Sequence, residues 1–141
     1  MKKRTIIRII TNFYNAQSDI VGEHLGEFRA MENDDHYYDF LQETITDADD
    51  YLEACEGLKE FKTVSDLIAE CDDLYDQYEK WLDNLDEHLK LIENGQIELT
   101  EEYLHSHIDW KLRSIRKTVE LYDEKACEVR SRYLSWKQNA R

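Results

Sequence analysis

The chain has no proline and only four glycines in 141 residues. With no proline, nothing locks φ or removes a backbone donor inside a helix, so helices can run long without interruption. Cysteine is scarce as well. Cys55, Cys71 and Cys127 are an odd set with no CxxC pair. Such a set excludes a disulfide framework and predicts free thiols in a reducing compartment, with Cys55 and Cys71 on apolar stripes. No apolar run is long enough to span a membrane. The N-terminal run Ile6-Ile7-Arg8-Ile9-Ile10 is short, is broken by Arg8 and lacks a small-residue cleavage site, so it does not read as a signal peptide. The expected location is the cytoplasm, with no membrane partner.

Basic residues are scarce in the middle of the chain. Residues 11–109 hold 28 acids against five bases, whereas Lys2, Lys3, Arg4 and Arg8 open the chain and nine bases follow Asp109. The net charge of −14 argues against direct binding to nucleic acid. A charged fraction of 35% and a mean hydropathy of −0.77 would suit a disordered chain. Sixteen aromatic residues and an apolar pattern in strict register argue for a folded one.

That register is clearest between Thr63 and Gln138. Val64, Leu67, Cys71, Leu74, Tyr78, Trp81, Leu85, His88 and Ile92 recur in steps of three and four. After Glu93-Asn94-Gly95-Gln96, a second series runs Leu104, Ile108, Leu112, Ile115, Val119, Tyr122, Ala126, Val129, Tyr133, Trp136, opening with two steps of four. This is the 3.5-residue seam of coiled-coil packing. Thr63 and Thr100 are suited to cap the two helices, the latter followed by Glu101 and Glu102 at the positive end of the dipole.

Upstream, residues 4–32 form a helical stripe of Ile6, Ile10, Phe13, Ile20, His24, Phe28 and Met31. The polar stretch at Asn15 to Asp19 leaves open whether they form one helix or two. Gly22 and Gly26 fall opposite that stripe. A further helix starts after Asn33-Asp34-Asp35 and ends near Gly57. The expected fold is all-α, with residues 1–141 as one domain. It is an elongated antiparallel bundle of about four helices with a long coiled-coil-like C-terminal hairpin.

Chemical motifs are sparse. Glu53-x-x-Glu56 and Glu70-x-x-Asp73 together resemble the magnesium signature of all-α nucleotide pyrophosphatases of the MazG type. That resemblance implies four carboxylates from adjacent helices around the metal that holds a triphosphate. Helical phase instead turns these residues away from the apolar faces. A di-iron bundle needs two inward ExxH pairs. Glu102-x-x-His105 is one, and it lies off the stripe. His105 and His107 point apart, while His24 and His88 occupy apolar faces and read as satisfied core or boundary residues. No metal, cofactor or catalytic residue is expected.

Charge position is what remains. Asp35, Asp39, Glu43, Asp47 and Asp50 form one row at helical spacing, and Asp72, Asp76, Glu79, Asp83 and Asp86 form another. Neither row contains a lysine. Like charges so placed cost about 0.2–0.5 kcal/mol per pair, and their spacing of about 5–6 Å approximates that of phosphates along a DNA strand. The last helix carries Arg113, Arg116, Lys117, Arg130, Arg132, Lys137 and Arg141, which would complement an acidic neighbour in an antiparallel pair.

The expected function is therefore a non-enzymatic acidic binding protein whose partner has a basic surface, such as the groove of a nucleic-acid-binding enzyme. In size and composition alone the chain is similar to small acidic anti-restriction and anti-CRISPR proteins of phages. The alternative is a helical scaffold, assembly factor or chaperone working through apolar surface. It could self-associate as a homodimer through Tyr133 and Trp136 at an overhanging helix end. A magnesium-dependent nucleotide pyrophosphatase is the third reading.

Overall fold

The computed structural model describes residues 3–42 and 63–139. The described residues form an all-α bundle. The first helix, α1 (Lys3–Glu32), runs without a break. The polar stretch at Asn15 to Asp19 does not interrupt it. There the Ser18 hydroxyl bonds to the Tyr78 hydroxyl at 2.9 Å, so a side chain free to compete for local backbone groups is engaged across the bundle instead. Gly22 and Gly26 face open space. The chain then turns at Asn33–His36 and is helical again from residue 37 to 42. The rest of the expected second helix, with Cys55 and the Gly57 cap, lies outside the described residues.

The hairpin follows its predicted signals closely. α2 (Val64–Glu93) starts at Thr63, whose hydroxyl accepts from the Asp66 amide at 3.0 Å while the Asp66 carboxylate accepts from the Thr63 amide at 3.1 Å. This capping box satisfies two otherwise orphaned donors. Gly95 ends the helix at φ 76°, a backbone state open to glycine at little steric cost. Thr100 caps the return, accepting from the Tyr103 amide at 3.1 Å. One α-turn, Glu101–Tyr103, leads into a π-helical turn, Leu104–Ile108, in which the Asp109 amide reaches back to the Leu104 carbonyl. From there α3 (Asp109–Asn139) runs antiparallel to α2.

The seam forms two connected cores. Cys71, Tyr78, Leu82, Leu85 and Leu89 of α2 pack on Ile108, Ile115, Val119, Tyr122 and Ala126, with Ile10 and Val21 of α1 laid over them. At the far end Met31, Phe40, Val64, Leu67, Val129 and Tyr133 close a second cluster. In α1 the buried face runs through Ile10, Val21, His24 and Met31, while Ile20, expected on the stripe, is 36% exposed. Ile20 and Val21 flank the line through Ile10, His24 and Met31 on opposite sides, and Val21 is on the side that packs on the hairpin. Lys111 and Thr118 are buried seam residues that an apolar reading passes over. Lys111 donates to the Asn84 side chain, and Thr118 to the Ser114 carbonyl.

Asp34 fastens the 33–36 turn to the end of α3. It accepts from Lys137 Nζ at 2.7 Å, from the Tyr133 hydroxyl, and from the His36 amide at 3.0 Å. Hydrogen bonds from Lys137, Tyr133 and His36, in that order, hold its carboxyl well below the usual carboxylate range. Its folded-state pKa therefore lies below its unfolded value, so the contribution is complete above the unfolded pKa of about 3.9 and is lost as pH falls further. Asp34→Asn should be less stable than the parent chain at pH 7, with the gap closing as pH drops below about 4. Urea unfolding at pH 7 and pH 3 measures this. Leu85 is fully buried. Leu85→Ala should lose about 2–5 kcal/mol in the same assay.

Candidate functional site

The α2 acid row lies on a strip of about 80° of helix surface, turned roughly 115° from the buried Cys71/Tyr78/Leu85 direction. Asp72, Asp76, Glu79 and Asp83 are exposed. The Tyr75 hydroxyl donates to Glu79 at 2.6 Å. That bond, helped by burial, pushes the Tyr75 phenol up to about 12. Asp72 is pushed above the ordinary carboxylate range first by partial burial and then by the negative charges of Asp76 and Asp73. Asp86 departs from the expected pattern, because Lys90, one turn on, pairs with it at 3.0 Å. Among the described residues no ion pair engages Asp72, Asp76, Glu79 or Asp83, although Lys80 stands one turn after Asp76.

Of the other row, Asp35 and Asp39 are exposed, and Glu43, Asp47 and Asp50 lie outside the described residues. The segment bearing Asp35 and Asp39 comes beside the Asp72 end of α2. Burial first, then the charges of Glu32 and Asp72, raise the pKa of Tyr37.

The basic residues of α3 do not neutralise this strip. Lys125 reaches across from α3 to Glu70 of α2 at 3.0 Å, on the other side of the helix. Arg130 pairs with Glu27 at 3.0 Å, Lys137 with Asp34, and Arg132 with Glu128 of its own helix. Arg116 stands 5.5 Å over the Phe13 ring. The expected complementarity of α3 is thus directed mostly at α1 and the turn after it, because α1 lies along the same side of α3 as most of these cations.

Beside the acid strip is a groove of about 830 Å³ lined by Asp73, Asp76, Gln77, Lys80, Trp81, Asn84, Trp110 and Lys111. Trp81 and Trp110 meet edge to face at 5.3 Å, and Trp110 is 41% exposed. By periodicity Trp81 belongs to the seam and Trp110 has no role. The signal in the sequence for an aromatic groove is a Trp at the start of the basic helix, off the apolar series.

The remaining candidates are accounted for by local contacts. Glu70 is engaged by Lys125, Asp73 opens to the tryptophan groove, and Glu53 and Glu56 lie outside the described residues. His88 Nδ1 meets the Tyr103 hydroxyl at 2.5 Å. His105 pairs with Asp109 at 2.9 Å on the surface. Tyr133 is buried, and Trp136 packs on Phe40 with ring centroids 5.5 Å apart. This corrects the picture of an unpartnered helix end. In an antiparallel hairpin the end of α3 lies beside the start of α2, and Phe40 and Met31 cover what α2 does not. No helix among the described residues is long and apolar enough to cross a membrane. Comparison with protein-family models, curated proteins and solved structures finds no match to this chain.

Because its folded-state pKa is raised, ionised Asp72 disfavours the fold above its unfolded pKa, and that penalty fades as pH falls through the folded value. Asp72→Asn should therefore raise stability at pH 7 by about 0.2–0.5 kcal/mol, with the gain vanishing near pH 3. A loss of stability at pH 7 would mean that the strip serves folding.

Proposed function

We propose that the chain is a non-enzymatic binding protein that presents the α2 acid strip and its tryptophan groove to a protein with a basic surface. The carrying observation is that Asp72, Asp76, Glu79 and Asp83 stay exposed and unpaired by α3, although that helix is rich in cations. Bringing like charges together in this way costs the helix stability, and a cationic partner would offset that cost on binding. The groove adds an aromatic contact beside the charge strip. A partner side chain entering it would meet the exposed part of Trp110, with the Asp73 and Asp76 carboxylates and the Lys80 and Lys111 ammoniums around it. A nucleic-acid-binding enzyme fits this partner chemistry, since its groove is built to receive a row of anions.

A second reading, a helical scaffold or assembly factor, is favoured by one observation. An apolar cleft of about 470 Å³ opens at the hairpin turn among Ile6, Ile9, Leu99, Leu104 and Leu112, with Ile9 52% exposed.

Affinity capture from the native host, washed at low and high salt, separates the two. The first reading expects a cationic partner that is released by salt or by competing DNA. It also expects binding lost when Asp72, Asp76, Glu79 and Asp83 are reversed to lysine, and weakened by about 2 kcal/mol, or thirtyfold, in Trp110→Ala. Binding that survives both the reversal and high salt, and is lost in Ile9→Glu, would overturn it in favour of the scaffold.

A further inference from the structure

Away from the acid strip, α1 and α3 bring together three metal-binding side chain types that are far apart in sequence. His24 Nε2 is 2.5 Å from Asp123 Oδ1, and Cys127 Sγ is 3.9 Å from the same oxygen. The three ligand atoms all lie within 4.8 Å of one another. Asp123 and Cys127 are one turn apart on α3, so the helix itself sets their spacing. His24 is the buried member, 7% exposed and edge-on to Tyr122 at 5.8 Å. Cys127 is exposed, and the Asp123 side chain is 51% exposed, so the site opens to solvent on that side.

A second observation concerns the other nitrogen of the imidazole. His24 Nδ1 lies 3.4 Å from the Glu27 carboxylate, one turn further along α1. Glu27 is in turn held by Arg130 at 3.0 Å. A carboxylate on the second ring nitrogen fixes the tautomer and aims the first nitrogen at a metal, the support that metal-ligating histidines use.

We propose that His24, Asp123 and Cys127 form a three-ligand site for zinc(II), with Glu27 as the positioning residue of the imidazole. Nitrogen, oxygen and sulfur together suit a borderline-soft divalent ion and disfavour magnesium or calcium, which take oxygen ligands. Three protein ligands leave the fourth tetrahedral position to water. On binding, the Cys127 thiol gives its proton to solvent as the metal–sulfur bond forms, and no electron is transferred. His24 and Asp123 separate by about 1 Å to admit the ion at metal–ligand distances of about 2.0–2.3 Å, a movement the exposed Asp123 side chain can make. The bound ion pins α1 to α3.

The test uses cobalt(II), titrated into the reduced full-length chain as a spectroscopic substitute for zinc. The expected result is thiolate-to-cobalt charge-transfer absorption that saturates at one metal per chain and is displaced by zinc. Cys127→Ser, at an exposed position, should fold normally by circular dichroism and lose that absorption, even though Cys55 and Cys71 remain. His24→Gln should lose binding as well, with helical content checked in the same way. Glu27→Gln should keep the absorption but bind about 10–100-fold more weakly. Absence of the charge-transfer band in the parent chain, or a band unchanged in Cys127→Ser or His24→Gln, overturns the proposal.

Discussion

The bundle depends on burial along one seam, where α2 and α3 share apolar side chains at intervals of 3.5 residues. Leu85, Ile92, Ile108, Ile115 and Val129 are fully buried there. Transfer of such side chains from water is worth about 1.5–3 kcal/mol each, which outweighs anything the surface charges contribute singly. α1 is secondary to this pair. It packs chiefly on α3 and presents a face with few fully buried residues. The acid strip can be uncompensated because the seam, not charge pairing, holds α2 in place.

A seam made only of apolar residues leaves register loosely defined, since one repeat resembles the next. Polar insertions counter that here. Lys111 is buried and bound to Asn84, and burial lowers its pKa. A shift of the hairpin by one repeat would strand that ammonium without Asn84. A buried polar residue at a seam position fixes alignment at a cost in stability. Lys125 with Glu70, and Ser18 with Tyr78, add cross-links that are satisfied in one alignment only.

Features carried by local spacing are legible in the sequence. Thr63, Thr100 and Gly95 announce the ends of the hairpin helices because caps are local chemistry. The seam announces itself because its period does. Lys90 stands four residues after Asp86, so that pairing is local too, yet it falls just past the end of the acid row and a search for lysines within the row misses it. Ile20 and Val21 exchange roles because they flank the α1 stripe on opposite sides, and which side meets the hairpin is set by tertiary packing. What depends on tertiary proximity is not legible. Burial of Tyr133 follows from antiparallel geometry and from Phe40, which belongs to another part of the chain. His24 and Asp123 are 99 residues apart, and no spacing rule connects them. The two steps of four at Leu104, Ile108 and Leu112 are visible in the sequence. Their meaning, a π-turn, is not.

That π-turn has an evolutionary consequence. It holds one residue more than an α-turn between the Thr100 cap and the seam that begins at Ile108. The turn acts as an expansion joint. A change of one residue within Leu104–Ile108 is absorbed there as a switch between α and π winding, leaving both the cap before it and the phase of α3 after it unaltered. Chain length at this end of the hairpin can therefore drift by one residue without rotating Lys111 away from Asn84, whereas the same change within Asp109–Asn139 would turn every later seam residue by about 100°.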